Sequence, residues 1–331
     1  MKKILSIIPF FTLLMIISCG EKESDVDNVA KDVVTVKTEN ITMNGATLYG
    51  HVDKELLSSG SSFGFILSTF SNPTSENGQV VTCSEVDKDG NFFAETPWLS
   101  SSTTYYYKVF VEFGSVIMVG NVKSFATKEL VLSAVDMGLS VKWANANLGA
   151  TSIEANGDYY AWGETEIKKE YNWTCYKWYN KDSKEIYKYN LSPSSSSIDY
   201  KTTLESDDDA ARVKLGGGWR MPTGSELAEL LATRNNDDYL WEWKSLSGNN
   251  GWMVTFLGNK NKLFLPAAGR RMDFGLYSEG TEGRYWSSNL YVDSESPTSS
   301  YQAMHCYLTE YYGDVHSDYR YIGQSIRPVK E

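Results

Sequence analysis

The side chains that could do chemistry in this chain are few and scattered. The run GGGWRMPTGSELAEL, residues 216–230, sets three glycines and a Trp-Arg pair ahead of a helix start. Free N–H groups at such a start can hold a phosphate. Asp207, Asp208 and Asp209 gather hard oxygen ligands of the kind calcium takes. Glu164 and Glu166 in WGETE could serve as a general acid and base. The imidazoles of His51, His305 and His316 stand apart from one another in sequence.

Each of these readings meets a simpler one. Thr223 and Glu226 have capping-box spacing, in which the hydroxyl accepts from the N–H of Glu226 while the carboxylate returns to the N–H of Thr223. An anion would compete with Glu226 for those donors and meet its charge, and no lysine follows the glycines as a P-loop requires. The run therefore predicts an architectural turn into a helix whose apolar face is Leu227, Leu230 and Leu231. Trp219 is then a core anchor, and Arg220 a hydrogen-bonding fork to nearby carbonyls or carboxylates. Asp207, Asp208 and Asp209 lack EF-hand spacing and read as the N-cap of a helix over 210–215. Strand alternation puts Glu164 and Glu166 together on one solvated face, with nothing to raise a pKa. No Ser-His-Asp or His-x-x-x-His pattern forms between sequence neighbours, although triads assemble in space. The sequence predicts no catalytic residue, no metal and no cofactor.

The elements that must position these groups begin after a targeting segment. Lys2 and Lys3 precede an apolar run over 4–17, too short to span a bilayer comfortably, that ends in Ile16-Ile17-Ser18-Cys19. This predicts a secretion signal over 1–18. A small residue followed by cysteine resembles the bacterial lipobox, which implies that Cys19 becomes the lipidated first residue and anchors the chain to a membrane. The acidic tether over 19–32, with Glu21, Glu23, Asp25 and Asp27, resembles the export signal of Bacteroidetes surface lipoproteins. That resemblance implies an outer-membrane lipoprotein facing the cell exterior. Without Lys2 and Lys3, 29 basic residues face 42 acidic ones, a formal charge of −13, and no basic footprint for nucleic acid remains. Cys83, Cys175 and Cys306 are left for the folded part, an odd number without C-x-x-C spacing, so neither a disulfide framework nor a zinc site is indicated.

Low proline, 14% aromatic residues and 22 tyrosines predict packed β-rich domains, and the length allows two. Over 33–128 the segments ATLYGHV, SFGFILS, GNFFAETPW, TTYYYKVFVEF and MVGNVKSFAT read as strands of a small sandwich. They resemble the fibronectin type III-like modules of surface lipoproteins, with Leu99 and Tyr106 where such modules keep a leucine and a core tyrosine. The Tyr105, Tyr106, Tyr107 run reads as strand packing, and the module as a spacer.

Over 130–331 the ordered segments VDMGLSVKWANANLGA, GDYYAWGETE, ESDDDAARVKLGGGWRMPTGSEL, NGWMVTF, LFLPAAGRR, RYWSSNLY and GQSIRPVK resemble the Fibrobacter succinogenes major paralogous domain family. That family resembles the C-type lectin-like fold shared with formylglycine-generating enzymes, where WR-x-P-T-x-x-E also begins a helix. The implied fold class is an all-β immunoglobulin or fibronectin III-like sandwich followed by an α+β C-type lectin-like domain. Formylglycine-generating enzymes rely on a nearby cysteine pair in the C-terminal part of the fold, where this chain has only Cys306. The Glu-Pro-Asn, Gln-Pro-Asp and Trp-Asn-Asp segments of calcium-dependent lectins are missing from this domain.

The tail after residue 270 is rich in Tyr, Trp, Ser and Gly, the composition of a paratope, where rigid amphipathic rings supply contact area at low entropy cost. Trp286 reads as core. Tyr311, Tyr312, Asp314, His316 and Tyr319, as a turn around YYGDVHSDY, are the ligand-binding candidates, and the competing reading makes the tyrosines plain β-sheet residues. Together these features predict a lipid-anchored binding or adhesion protein for a glycan or a protein surface. An enzyme acting on surface glycans, a remote formylglycine-type oxidase, and a structural subunit of a fimbria or envelope complex are the alternatives.

Overall fold

The computed structural model describes residues 33–57, 60–96, 99–193, 195, 197–293 and 300–331. Cys19, the signal and the tether lie outside the described residues. The described chain is mostly β, built from several antiparallel sheets.

The first unit holds β1 (Val33–Glu39), β2 (Thr47–Val52), β3 (Ser62–Ser68), β4 (Gln79–Cys83), β5 (Asn91–Glu95), β6 (Thr104–Phe113), β7 (Val116–Val119) and β8 (Lys123–Ala126). One sheet runs β1-β2-β5; the other runs β4-β3-β6-β7, with β8 also on β6. Alternate residues of β2, β3 and β6, among them Leu48, Phe65, Tyr107 and Val109, fill one core between the sheets. Gly50 is required there, because a Cβ on it would come within 2.6 Å of Val109 and 2.7 Å of Phe92. Leu99 is buried in this core. Tyr106 is not the core tyrosine. Strand alternation buries Tyr105 and Tyr107 instead, and the Tyr107 hydroxyl accepts from Thr38 Oγ1 at 2.7 Å.

The second unit opens with β9 (Ala134–Val135) and β10 (Lys142–Ala144), followed by the short pair β11 (Tyr179–Asn180) and β12 (Glu185–Ile186). Helices α1 (Ala210–Leu215) and α2 (Gly224–Ala232) come next. The sheet of β13 (Tyr239–Leu246), β14 (Asn249–Phe256) and β15 (Lys262–Pro266) follows, then the hairpin of β16 (Arg270–Met272) and β17 (Gly275–Tyr277). A further sheet holds β18 (Gly283–Leu290), β19 (Gln302–Leu308) and β20 (Gly313–Tyr319). Finally β21 (Val329–Lys330) returns to pair with β10, placing Lys142 opposite Lys330 and Trp143 opposite Val329.

Two tryptophans lock the motif segments together. Trp162 donates through its indole N–H to Ser287 O and Trp286 donates to Tyr160 O, each at 2.9 Å, and both rings are fully buried. Two arginines are equally buried and are held by neutral oxygens. Arg320 Nε donates to the Tyr176 hydroxyl and its terminal nitrogens to the carbonyls of Lys188, Tyr189 and Ser300, while its guanidinium lies 4.7 Å from the Trp162 ring centroid. Arg327 donates to Asn147 Oδ1, Ala144 O and Phe264 O. Burying a charge this way is tolerable because a guanidinium spreads its charge over five donors that the carbonyls satisfy.

The glycine run closes α1. Gly216, Gly217 and Gly218 have φ of 58°, 55° and 86°, three successive left-handed residues that only glycine takes at little cost. Asp209 caps α1 by accepting from Arg212 N, and its carboxylate also receives the Met221 N–H. At α2 both halves of the capping box form: Thr223 Oγ1 accepts from Glu226 N, and Glu226 Oε2 accepts from Thr223 N. Trp219, by contrast, is half-buried and not a core anchor. It sits at the rim where the glycine turn enters the body, under the Lys330 ammonium at 5.7 Å, and Met221 takes the interior place.

Candidate functional site

Register determines which side chains share a face of the β18-β19-β20 sheet. Tyr285 pairs with Cys306 and Cys306 with Val315, and this row packs into the core that includes Leu227, Leu230 and Leu231 of α2. The alternate rows, Arg284 with Tyr307 with Asp314 and Trp286 with His305 with His316, must therefore point to the other side. That side begins buried at Trp286 and His305 and opens to solvent at Asp314 and His316.

The outer end of this face is a network of flat rings and polar groups. The Tyr312 hydroxyl lies 2.9 Å from His316 Nε2 and donates to Asp314 Oδ2 at 3.3 Å. Tyr307 meets His316 edge-on at 5.8 Å, carries the Arg284 guanidinium at 4.6 Å from its centroid and donates to Glu282 Oε1 at 3.3 Å. Arg284 Nε in turn donates to Glu282 Oε2 at 2.9 Å. His305 lies deeper. Burial, with Arg284 and His316 adding to it, pushes its pKa down to about 3 and keeps the imidazole neutral.

At the inner end, Asp318 Oδ2 accepts from Arg270 Nη1 and Arg284 Nη1, both at 3.2 Å, and from Gln324 Nε2 at 3.0 Å. Beyond it lies a second aromatic group. Tyr319 and Tyr321 are near-parallel, 11° apart with centroids at 5.8 Å, and Trp173 meets Tyr321, Tyr301 and Tyr319 edge-on. Burial, with Asp318 and Asp273 adding to it, raises the Tyr321 pKa.

The five ligand candidates therefore divide. Tyr312, Asp314 and His316 come together, whereas Tyr319 belongs to the Trp173 group. Tyr311 joins neither group and is 87% exposed. The tight turn spans residues 309–312, pinned by Thr309 Oγ1 accepting from the N–H groups of Tyr311 and Tyr312, and residues 313–319 form a strand instead of the expected turn. Sequence reasoning missed Arg270, Asp318 and Gln324 as site residues and did not select Tyr307. For Tyr307 and Asp318, period-two alternation in QAMHCYL and GDVHSDY was the available signal, because it places His305 with Tyr307, and Asp314 with His316 and Asp318, on one face; Arg270 and Gln324 lie in other segments and gave none.

The remaining chemical candidates resolve differently. Glu164 and Glu166 do not share a solvated face. Gly163, with φ of 74°, turns the chain just before them, and Glu164 is buried, accepting from Lys168 Nζ at 2.8 Å and Lys177 N at 2.7 Å. Glu166 stays exposed and pairs with Lys214. Arg220 reaches Glu226 with both terminal nitrogens, at 2.8 and 2.6 Å. Cys83, Cys175 and Cys306 are free thiols, and no group of three or more His, Cys, Asp or Glu among the described residues could hold a metal ion. A groove of about 730 Å³ opens in the first unit between the β4 and β5 edges, lined by Tyr49, Val81, Phe92 and Phe93 with Glu85 and Asp87. It lies apart from the polar-aromatic face and is the open edge between two sheets. No helix among the described residues is long and apolar enough to cross a membrane.

No family model matches this chain, and no curated protein matches it. Among solved structures it is similar to a sensor domain of the anti-sigma factor RsgI4 from Pseudobacteroides cellulosolvens, at 25% identity, with 30% of this chain and 94% of that one covered and a TM-score of 0.25. It is also similar to a fibronectin type III domain from the human KIAA0970 protein, at 15% identity, with 30% and 76% covered and a TM-score of 0.21.

Proposed function

We propose that this chain is a non-catalytic binding or adhesion lipoprotein of the outer membrane. Cys19 carries the lipid, the fibronectin III-like sandwich is the spacer, and a C-type lectin-like second domain faces the exterior and holds a glycan or protein ligand. The observation that carries this reading is the convergence of Tyr307, Tyr312, Asp314, His316 and Arg284 on one open sheet face. Such a face offers rigid rings flanked by hydrogen-bonding groups, which is what recognition uses. The charges there are balanced within the face, Arg284 being held by Glu282 and Asp318. That suits positioning a ligand better than activating a nucleophile.

The test is binding of the full chain to arrays of glycans and of extracellular proteins, beside a Tyr307→Ala, Tyr312→Ala double variant. Binding that falls in the double variant supports the reading. Failure of the parent chain to bind either array, or equal binding by the variant, overturns it.

A further inference from the structure

We infer that the ligand is an uncharged sugar, one pyranose of which sits between the rings of Trp173, Tyr319 and Tyr321 and the polar cluster of Arg270, Asp318 and Gln324. This rests on the binding reading above and adds the ligand's chemistry and its place.

The aromatic half supplies flat apolar surface at the edge of solvent. Tyr319 is 46% exposed, and Trp173 braces it and Tyr321 edge-on at 6.0 and 4.9 Å, so the rings are held in place before any ligand arrives. A pyranose presents C–H faces to such rings and hydroxyls to its sides. Tyr319 is also tied to the polar half directly, since its N–H donates to Asp318 Oδ1 at 2.9 Å.

The polar half decides the charge of the ligand. Asp318 Oδ2 already accepts from Arg270, Arg284 and Gln324. Two buried atoms beside that carboxylate have no hydrogen-bond partner: Arg270 Nε, a donor, and Gln324 Oε1, an acceptor on a side chain with no exposed surface. A group that serves both must accept and donate at once, and a hydroxyl does so. A carboxylate or phosphate would satisfy Arg270 but would confront the Gln324 carbonyl and the Asp318 carboxylate. An ammonium would satisfy Gln324 and be drawn by Asp318, but would leave the Arg270 Nε donor unpaired and face the guanidiniums of both Arg270 and Arg284. An uncharged polyol meets both demands, and pairing a buried polar atom recovers free energy that its isolation costs.

The experiment is titration of the full chain with neutral glucan, mannan, galactan and xylan oligosaccharides and with uronate-bearing counterparts. At least one neutral sugar should bind, with its uronate counterpart at least about tenfold weaker. Arg270→Met and Tyr319→Ala should each weaken binding by about 10- to 100-fold, the loss expected when a buried partner goes unpaired or a stacking ring is removed. Melting curves matching the parent's show that both variants are folded. Gln324→Glu, which keeps the shape but adds charge, provides a second reading of the same contact.

Preference for the uronates, or unchanged sugar binding in both folded variants, overturns the inference. A ligand from either array that is lost only in the Tyr307→Ala, Tyr312→Ala variant leaves the binding reading standing and removes the pyranose site. A chain that binds nothing on either array ends both.

Discussion

Arg220 grips the Glu226 carboxylate with two parallel hydrogen bonds while that carboxylate also receives the Thr223 N–H. One glutamate thus caps α2 and fastens the strand-like segment ahead of it. Burial alone would raise the Glu226 pKa, but the Arg220 fork and the Thr223 N–H together outweigh it and hold the group below its usual 4.5. A carboxylate with a depressed folded pKa contributes stability that is present above its unfolded pKa and is lost as pH falls through the folded one. Glu226→Gln should therefore be less stable than the parent at pH 7, and the gap should narrow as melting is followed below pH 4.5. A constant gap across that window would show that the charge is not what matters. At neutral pH, Thr223→Ala should cost about 1 kcal/mol without altering ligand binding.

The indole of Trp219 lies at the rim, whereas that of Trp162 is fully buried and donates to Ser287. Trp162→Ala should cost about 3–5 kcal/mol, and Trp219→Ala only about 1–2 kcal/mol, in proportion to the apolar surface each covers. Denaturant melts of the two variants decide the order, and equal losses would contradict it.

His305 should make the domain acid-sensitive. Its folded pKa is far below the ordinary 6.5, so the unfolded chain takes up a proton that the folded chain refuses. The stability tied to the neutral imidazole is complete above pH 6.5 and drains away as pH falls toward about 3. His305→Gln should flatten the pH dependence of melting between pH 6.5 and 4. The same slope in parent and variant would assign the acid sensitivity to other groups.

Replacing Tyr311, Tyr312 and Tyr319 together by alanine should leave the melting temperature within a few degrees, because these rings are well exposed. Ligand binding should weaken, and it should survive EDTA. Unfolding of the triple variant would place the rings in the core, and EDTA-sensitive binding would point to a metal.

For the anchor, Cys19→Ser should abolish lipid labelling and release the chain from membranes. Protease shaving of intact cells tests the outward orientation separately, since a chain that resists it would lie on the periplasmic side.

How much of this was legible in the sequence depended on how local the cause was. The α2 cap follows from Thr223 and Glu226 alone, and the α1 cap from Asp209, because those contacts close within four residues. ATLYGHV and SFGFILS were legible as strands, and alternation turns their Leu48 and Phe65 inward. It also held for the tyrosine run, but a one-residue choice of phase separates Tyr106 from its buried neighbours. Trp219 misled because a large ring beside a helix start looks like core, while its burial depends on what the distant residues around Lys330 leave open. The convergence of Arg270, Arg284, Asp318 and Gln324 was not readable, since it depends on how a hairpin, a sheet and the closing segment meet in space.

The pairing of β21 with β10 sets a condition on how the second unit is made. Arg327 finds its partners at residues 144, 147 and 264, and Trp143 lies opposite Val329, so the early strand β10 of this unit is completed by β21, about 180 residues later. Contacts of such sequence separation form slowly and give a growing chain no stable resting point before they close. A chain still emerging from the ribosome would stay unlocked until residues 327–330 had emerged. Folding of this unit would then wait for that segment, and a ribosome stalled shortly before Arg327 would leave a product that stays open to proteases.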